Sequence, residues 1–174
     1  MRMRSGLGKV VLVALLPVLA GQAEILKYGD GKPDGRKSLG GNGELLKVTA
    51  PSEKMKVVGV KIHGSRYGLP APPKEDFTVY ILGEDMAVLH TEKAPYKLFE
   101  RGEAKWVNVS FKKPAEVPAT FWVCLDFNAE QTKGVYVSYD TSTDGQHSKI
   151  GLPGQTPEDV EFGGDWMIQV NVSQ

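Results

Sequence analysis

The sequence predicts an all-β protein, an antiparallel β-sandwich that is jelly-roll-like, with about eight strands. Three observations carry that expectation. Short runs rich in Val, Ile, Phe, Tyr and Trp recur along the chain, separated by clusters of Gly, Pro and Asp. Two of those runs alternate between apolar and other residues with the period of a strand. No window of about 11 residues or more beyond the leader has helical periodicity. Prolines at 70, 72 and 73, at 114 and 118, and at 153 and 157 interrupt the remaining stretches.

The chain begins with Arg2 and Arg4, then an apolar run from Val10 to Ala20, then Gly21-Gln22-Ala23. A basic start, an apolar centre and a small-x-small site describe a cleavable signal peptide at 1–23. The apolar run holds about 11 residues where a spanning helix needs about 20, and Pro17 interrupts it, so no stable membrane anchor is expected. Gln22 stands where a lipidated cysteine would follow Leu19-Ala20-Gly21, which removes an acyl anchor. The expected location is therefore secreted or periplasmic, and residues 24–174 are expected to form a single domain.

Within that domain the first strand is expected at 44–49, where Leu45-Leu46-Lys47-Val48 leaves a glycine-rich stretch. The second, 56–62, contains Val57, Val58, Val60 and Ile62 and runs toward the proline-rich loop around Pro70. Strands at 77–82 and 87–91 flank the turn residues Gly83-Glu84-Asp85. The run 105–111 places Val107, Val109 and Phe111 on one face and Trp106, Asn108 and Ser110 on the other. The run 119–127 places Phe121, Val123, Leu125 and Phe127 together, opposite Trp122, Cys124 and Asp126. Strands at 134–139 and 166–172 complete the set.

The opening Ile25-Leu26-Lys27-Tyr28-Gly29-Asp30-Gly31-Lys32-Pro33-Asp34-Gly35, followed by Gly40-Gly41-Asn42-Gly43-Glu44, resembles the start of secreted bacterial β-sandwich modules, jelly-roll or galactose-binding-like in kind. Those modules open with a Tyr-Asp-Asp-Gly-like turn. The segments from Gly59 to Gly64 and from Lys105 to Val109 are similar to that group's second strand and central Trp strand. The resemblance implies a sandwich fold and a non-catalytic module accompanying peptidases or surface proteins. Gly29 stands where the group carries its first Asp, so this chain lacks that carboxylate.

Charge excludes one class of partner. Three of the 21 basic residues (Arg2, Arg4, Lys9) lie in the leader and none of the 21 acidic ones does, so the mature chain is near −3. Nucleic acid is not an expected partner. The single cysteine, Cys124, cannot form an internal disulfide and sits in an apolar run with no basic residue within five positions, which describes an inert, buried thiol. His63, His90 and His147 lie far apart with no metalloprotease spacing, and no Gly-x-Ser-x-Gly elbow is present. No catalytic residue is expected, and the chain reads as a protein that is not an enzyme.

The sharpest motif is Asp140-Thr141-Ser142-Thr143-Asp144-Gly145. Oxygen side chains at Asp140, Ser142 and Asp144 with a following glycine match the first half of a calcium loop, while Gly151 replaces the closing glutamate. A structural calcium completed by Asp126, Glu161 or Asp165 is one reading; a polar turn is the other. Trp106 and Trp122, with Tyr80 and Tyr136, are candidates for stacking on a sugar face or for packing in the core. Arg66 and Tyr67 lead into the proline-rich loop, either to meet a polar ligand or to fasten the loop through a carboxylate. The leading expectation is an exported, non-catalytic module that binds a glycan or an envelope protein or other component. A purely structural or protein-interaction module and an unrecognised hydrolase remain as alternatives, and oligomeric state is not legible.

Overall fold

The structure of the protein, a computed structural model, describes residues 23–174. The expected signal peptide lies outside the described residues apart from Ala23. Thirteen strands follow in order: β1 (Glu24–Leu26), β2 (Gly35–Lys37), β3 (Glu44–Thr49), β4 (Lys56–Gly68), β5 (Asp76–Leu82), β6 (Val88–Pro95), β7 (Lys105–Glu116), β8 (Thr120–Asp126), β9 (Lys133–Asp140), β10 (Ser148–Ile150), β11 (Glu158–Asp159), β12 (Asp165–Trp166) and β13 (Ile168–Ser173). One turn of 3₁₀ helix, Tyr96–Leu98, precedes β7.

The strands form two antiparallel sheets packed face to face, the expected sandwich. The first runs β1-β13-β4-β9-β12, with β2 added on β9 and β7 on β4. The second runs β11-β10-β3-β8-β5-β6. The long strand β4 organises the first sheet. Lys56 to Ile62 pair with β13, and Gly64 to Gly68 pair with β9, so two strands abut along one side of β4. Met167 occupies the junction, accepting from the His63 amide at 3.0 Å and donating to the Ser138 carbonyl at 2.8 Å.

Thirteen strands replace the expected eight for a local reason. β1, β2, β10, β11 and β12 are two or three residues long, too short to show a period, and exist because a neighbouring strand supplies their hydrogen bonds. The expected strand at 166–172 is cut at Met167, where the chain passes from β9 to β4. The expected 105–111 continues to Glu116, through a bulge. Gly59 faces Ser110 and Val57 faces Ala115, leaving residues 111–114 outside the ladder, the position in which Pro114 is tolerated. From that bulge the Lys112 amide donates to the Glu92 carboxylate of β6 at 2.9 Å, and Phe111 stacks on His90 at 4.9 Å. The bulge ties the neighbouring edges of the two sheets.

The main core lies between the sheets. Val60, Ile62, Val107, Val109, Val135, Val137, Trp166, Ile168, Val170 and Val172 face Leu46, Val48, Phe77, Val79, Ile81, Phe121, Val123 and Leu125. A second, smaller cluster covers the outer face of the second sheet: Leu45, Leu82, Met86, Trp122 and Cys124, with Tyr80 and Leu152 against it. The 83–87 and 152–155 turns close over this cluster, joined by a bond from the Gly154 amide to the Met86 carbonyl. The outer face of the first sheet has no such apolar cluster at its β4–β9 end, where polar side chains lie instead and His63, Ser65 and Ser138 are buried beneath their neighbours.

Candidate functional site: the outer face of the first sheet

Alternation along β4 sends Val60 and Ile62 into the core and turns His63, Ser65 and Tyr67 outward. On β9, Val135 and Val137 are core residues while Tyr136 and Ser138 face out. Register then assembles the surface: Trp106 lies opposite His63, Ser65 opposite Tyr136, and Arg36 of β2 opposite Ser138. His63 Nδ1 lies 2.8 Å from Ser138 Oγ, and its ring meets the Trp106 ring edge-on at 5.1 Å. Burial holds the His63 imidazole below its ordinary pKa, so it is neutral at physiological pH.

Beside this pair the Arg36 guanidinium lies over the Tyr136 ring at 5.1 Å and donates through Nη1 to Ser65 Oγ and to the Gly102 carbonyl, both at 3.0 Å. The Tyr67 and Tyr136 rings lie 4.6 Å apart. The Tyr67 hydroxyl accepts from Ser38 Oγ at 3.2 Å and donates to the Glu130 carbonyl at 2.9 Å. Arg36, Ser65, Arg66, Tyr67, Arg101 and Tyr136 line an open cavity of about 150 Å³. The face thus offers ring surfaces and fixed donors side by side, the two elements a sugar or another polar ligand requires.

The structure distributes the sequence candidates unevenly. Trp106 is exposed over 39 % of its surface and belongs to this face. Trp122 does not; it is 6 % exposed and packed in the outer cluster of the opposite sheet, with the Lys47 ammonium 5.6 Å from its ring. Tyr80 goes with Trp122, Tyr136 with Arg36. Tyr67 lines the cavity. Arg66 also lines it, but its guanidinium is engaged with the carbonyls of Phe99 (3.3 Å), Leu69 (2.7 Å) and Pro70 (2.8 Å). It fastens the proline-rich loop, through carbonyls instead of a carboxylate. Cys124 is buried, with Sγ 3.5 Å from the Gly151 carbonyl, and burial pushes its thiol far up.

Asp140 and Ser142 meet, as the motif spacing suggests, and hold a staple between distant segments. Asp140 Oδ1 accepts from the Ser142 amide (2.9 Å) and hydroxyl (2.5 Å), Oδ2 accepts from the Gly31 amide (2.9 Å), and Ser142 Oγ accepts from the Asp30 amide (3.0 Å). Burial pushes the Asp140 carboxyl up, but these hydrogen bonds outweigh it and hold the group below the usual carboxylate range. A Cβ at Gly29 (φ 82°) would collide with this carboxylate, which explains the glycine there. Asp144 is turned elsewhere, grouped with His147 and the buried Asp165. His147 Nδ1 lies 3.1 Å from Asp165 Oδ2 and its ring stacks on Tyr28 at 3.6 Å. Of the other oxygens expected to complete a calcium site, Asp126 caps the Asn128 amide and Glu161 pairs with Lys37.

Sequence reasoning missed Arg36 and Arg101, weighed Ser65 and Ser138 only as members of a Ser–His–Asp arrangement and not for this face, and did not group His147 with Asp165. Arg36 sits in a three-residue strand with no periodicity, and only the β2–β9 register brings it to Tyr136.

No protein-family model matches the chain, and no curated protein matches it. Among solved structures it is similar to the clostridial cysteine protease Cwp84 after propeptide cleavage, with a TM-score of 0.54 and 12 % identity over 87 % of this chain and 40 % of that one. A second structure, of the cysteine protease and lectin-like domains of Cwp84, a surface layer associated protein of Clostridium difficile, gives 0.53 and 13 % over 87 % and 36 %. The chain therefore spans less than half of either neighbour. At such identity the likeness is one of fold: an all-β sandwich shared with part of those chains.

Proposed function

We propose that this chain is an exported, non-catalytic binding module whose ligand, a glycan or another envelope component, lies on the outer face of the first sheet. The observation that carries the reading is the exposed Trp106 ring continuous with the His63–Ser138 pair and the Arg36–Tyr136–Tyr67 cluster. Exposed rings take the apolar face of a sugar while neighbouring hydroxyl and guanidinium groups take its hydroxyls. A neighbour with lectin-like domains agrees with this reading. The state of Cys124 supports the non-catalytic part, since a buried thiol pushed far up does not supply a thiolate.

The test is a glycan panel read by direct binding, with Trp106→Ala beside the parent protein. The expected result is binding to at least one glycan and a loss of about tenfold or more in the variant, equivalent to about 1.4 kcal/mol. No glycan bound, or equal affinity in a folded Trp106→Ala protein, would overturn the proposal.

A further inference from the structure

The arginines of the described residues are unevenly placed. Beyond residue 22 the chain has three arginines, Arg36, Arg66 and Arg101, and all three line the same cavity of about 150 Å³. They come from β2, from β4 and from the segment after the 3₁₀ turn, so no local repeat explains the convergence. A parallel bridge joins the backbones of Arg66 and Arg101.

None of the three forms an ion pair among the described residues. Lys37, Lys47, Lys105, Lys112, Lys133 and Lys149 all do, so carboxylates are plentiful among the described residues. No Asp or Glu lines the cavity. Arg36 and Arg101 are exposed beside this space, while the Arg66 guanidinium is buried against the carbonyls of Phe99, Leu69 and Pro70, so an anion in the cavity would meet the first two charges directly.

The donors point to the same conclusion. Arg36 uses both Nη1 hydrogens on Ser65 and the Gly102 carbonyl, which leaves its Nε and Nη2 edge free. That edge is the planar fork that grips carboxylates, sulfates and phosphates with two parallel bonds. The Arg36 guanidinium carbon lies 5.1 Å over the Tyr136 ring, a cation–π contact that helps hold the side chain in place. Arg66 has single hydrogens left on Nη1 and Nη2 after its three carbonyl bonds, and the Arg101 side chain makes no hydrogen bond among the described residues.

We propose that this cavity is a subsite for an anionic substituent, a carboxylate, sulfate or phosphate ester carried on a sugar, so that the ligand of this face is an acidic glycan. The inference rests on the reading of this face as the ligand surface and adds the ligand's charge and the residues that recognise it. Arg36 and Arg101 are the recognising groups, Arg66 is the loop-fastening third charge, and Tyr67 and Tyr136 carry the ring beside the anion.

The experiment has two arms. In the first, backbone amide resonances of the protein are followed as sodium glucuronate, sodium sulfate or inorganic phosphate is added, against sodium chloride at matched ionic strength. Saturable shifts at Ser65, Tyr136 and Gly102, with a dissociation constant on the order of 1 mM, are expected with at least one of these anions and not with chloride. Both Arg36→Gln and Arg101→Gln are exposed changes that leave the core intact, and each is expected to weaken that binding by about tenfold or more. No saturable shift with any anion, or unchanged affinity in both folded variants, overturns the subsite. In the second arm, acidic glycans and neutral ones of equal length are compared on the parent protein and Arg36→Gln. A preference for the acidic glycans that Arg36→Gln abolishes is expected, and which anion binds in the first arm distinguishes carboxylate from sulfate or phosphate. Equal binding of neutral and acidic glycans overturns the inference while leaving the glycan reading intact. Anion binding in the first arm with no glycan bound in the second contradicts the glycan reading and leaves only the anion cavity.

Discussion

Replacing Trp122 and Trp106 one at a time by Ala separates a packed ring from an exposed one. Trp122 is 6 % exposed and enclosed by Leu45, Leu82, Met86 and Cys124. Its removal leaves a cavity that the 83–87 and 152–155 turns cannot fill without moving, so the cost is about 3–5 kcal/mol. A further contribution of about 0.5–1 kcal/mol at most comes from the Lys47 ammonium above the ring, which solvent screens. Trp106 keeps 39 % of its surface in solvent and loses chiefly its edge contact with His63, a cost of about 1–1.5 kcal/mol. For a domain of this size each kcal/mol moves the unfolding midpoint by about 2–4 °C. Thermal or urea unfolding is therefore expected to show a fall of about 6–20 °C for Trp122→Ala and about 2–6 °C for Trp106→Ala, with equal m-values. Equal losses, or a Trp122→Ala cost below about 1.5 kcal/mol, would refute the assignment of the two rings.

Further predictions concern titratable groups and the calcium question. Burial first, and the Asp126 charge after it, push the fully enclosed Glu44 carboxyl well above its ordinary value. The folded protein then binds a proton the unfolded chain has released, so stability falls as pH rises from about 4.5 through the raised value, by about 1.4 kcal/mol per unit of displacement. Glu44→Gln is expected to be more stable than the parent at pH 7 and to lose that slope in denaturant titrations; an unchanged slope would count against a buried, protonated Glu44. Burial depresses His63, so stability is full above pH 6.5 and falls as pH drops through that value toward the folded pKa; His63→Gln is expected to flatten this decline. Asp140 already accepts three protein donors, so the midpoint is expected to be the same in excess calcium and in chelator. A calcium-dependent rise of about 5–11 °C that Asp144→Ala removes would establish the cation instead. Asp140→Ala strands the Gly31 and Ser142 amides and is expected to cost about 1–3 kcal/mol in either medium.

Strands with a clear period-two pattern were legible: β3 lies at the expected 44–49, and β5, β8 and β9 within a residue of expectation, whereas β4, β6 and β7 begin within a residue of the expected start but run on past the expected ends at 62, 91 and 111 to Gly68, Pro95 and Glu116. The two-residue and three-residue strands were not legible, since their pairing is imposed by neighbours. Alternation correctly placed Trp106 and Trp122 opposite the core-facing residues of their strands. What covers each outer face depends on distant turns: those at 83–87 and 152–155 close over Trp122, while Trp106 stays 39 % exposed. The same limit governed the polar sites. The Asp140–Ser142 contact follows from a spacing of two, but the Gly31 amide that engages Asp140 lies 109 residues away. Arg36, Ser65 and Tyr136 meet through the β2–β9 and β4–β9 registers, which no local window contains.

The most direct test of the proposed ligand face is a map of where a bound glycan perturbs the backbone amides of the parent protein. The expected perturbations fall on Trp106, His63, Ser65, Tyr136 and Arg36, and spare the Trp122 cluster and the Asp144–His147–Asp165 group. Perturbations confined to either of those places, with the outer face of the first sheet unchanged, would contradict the proposal.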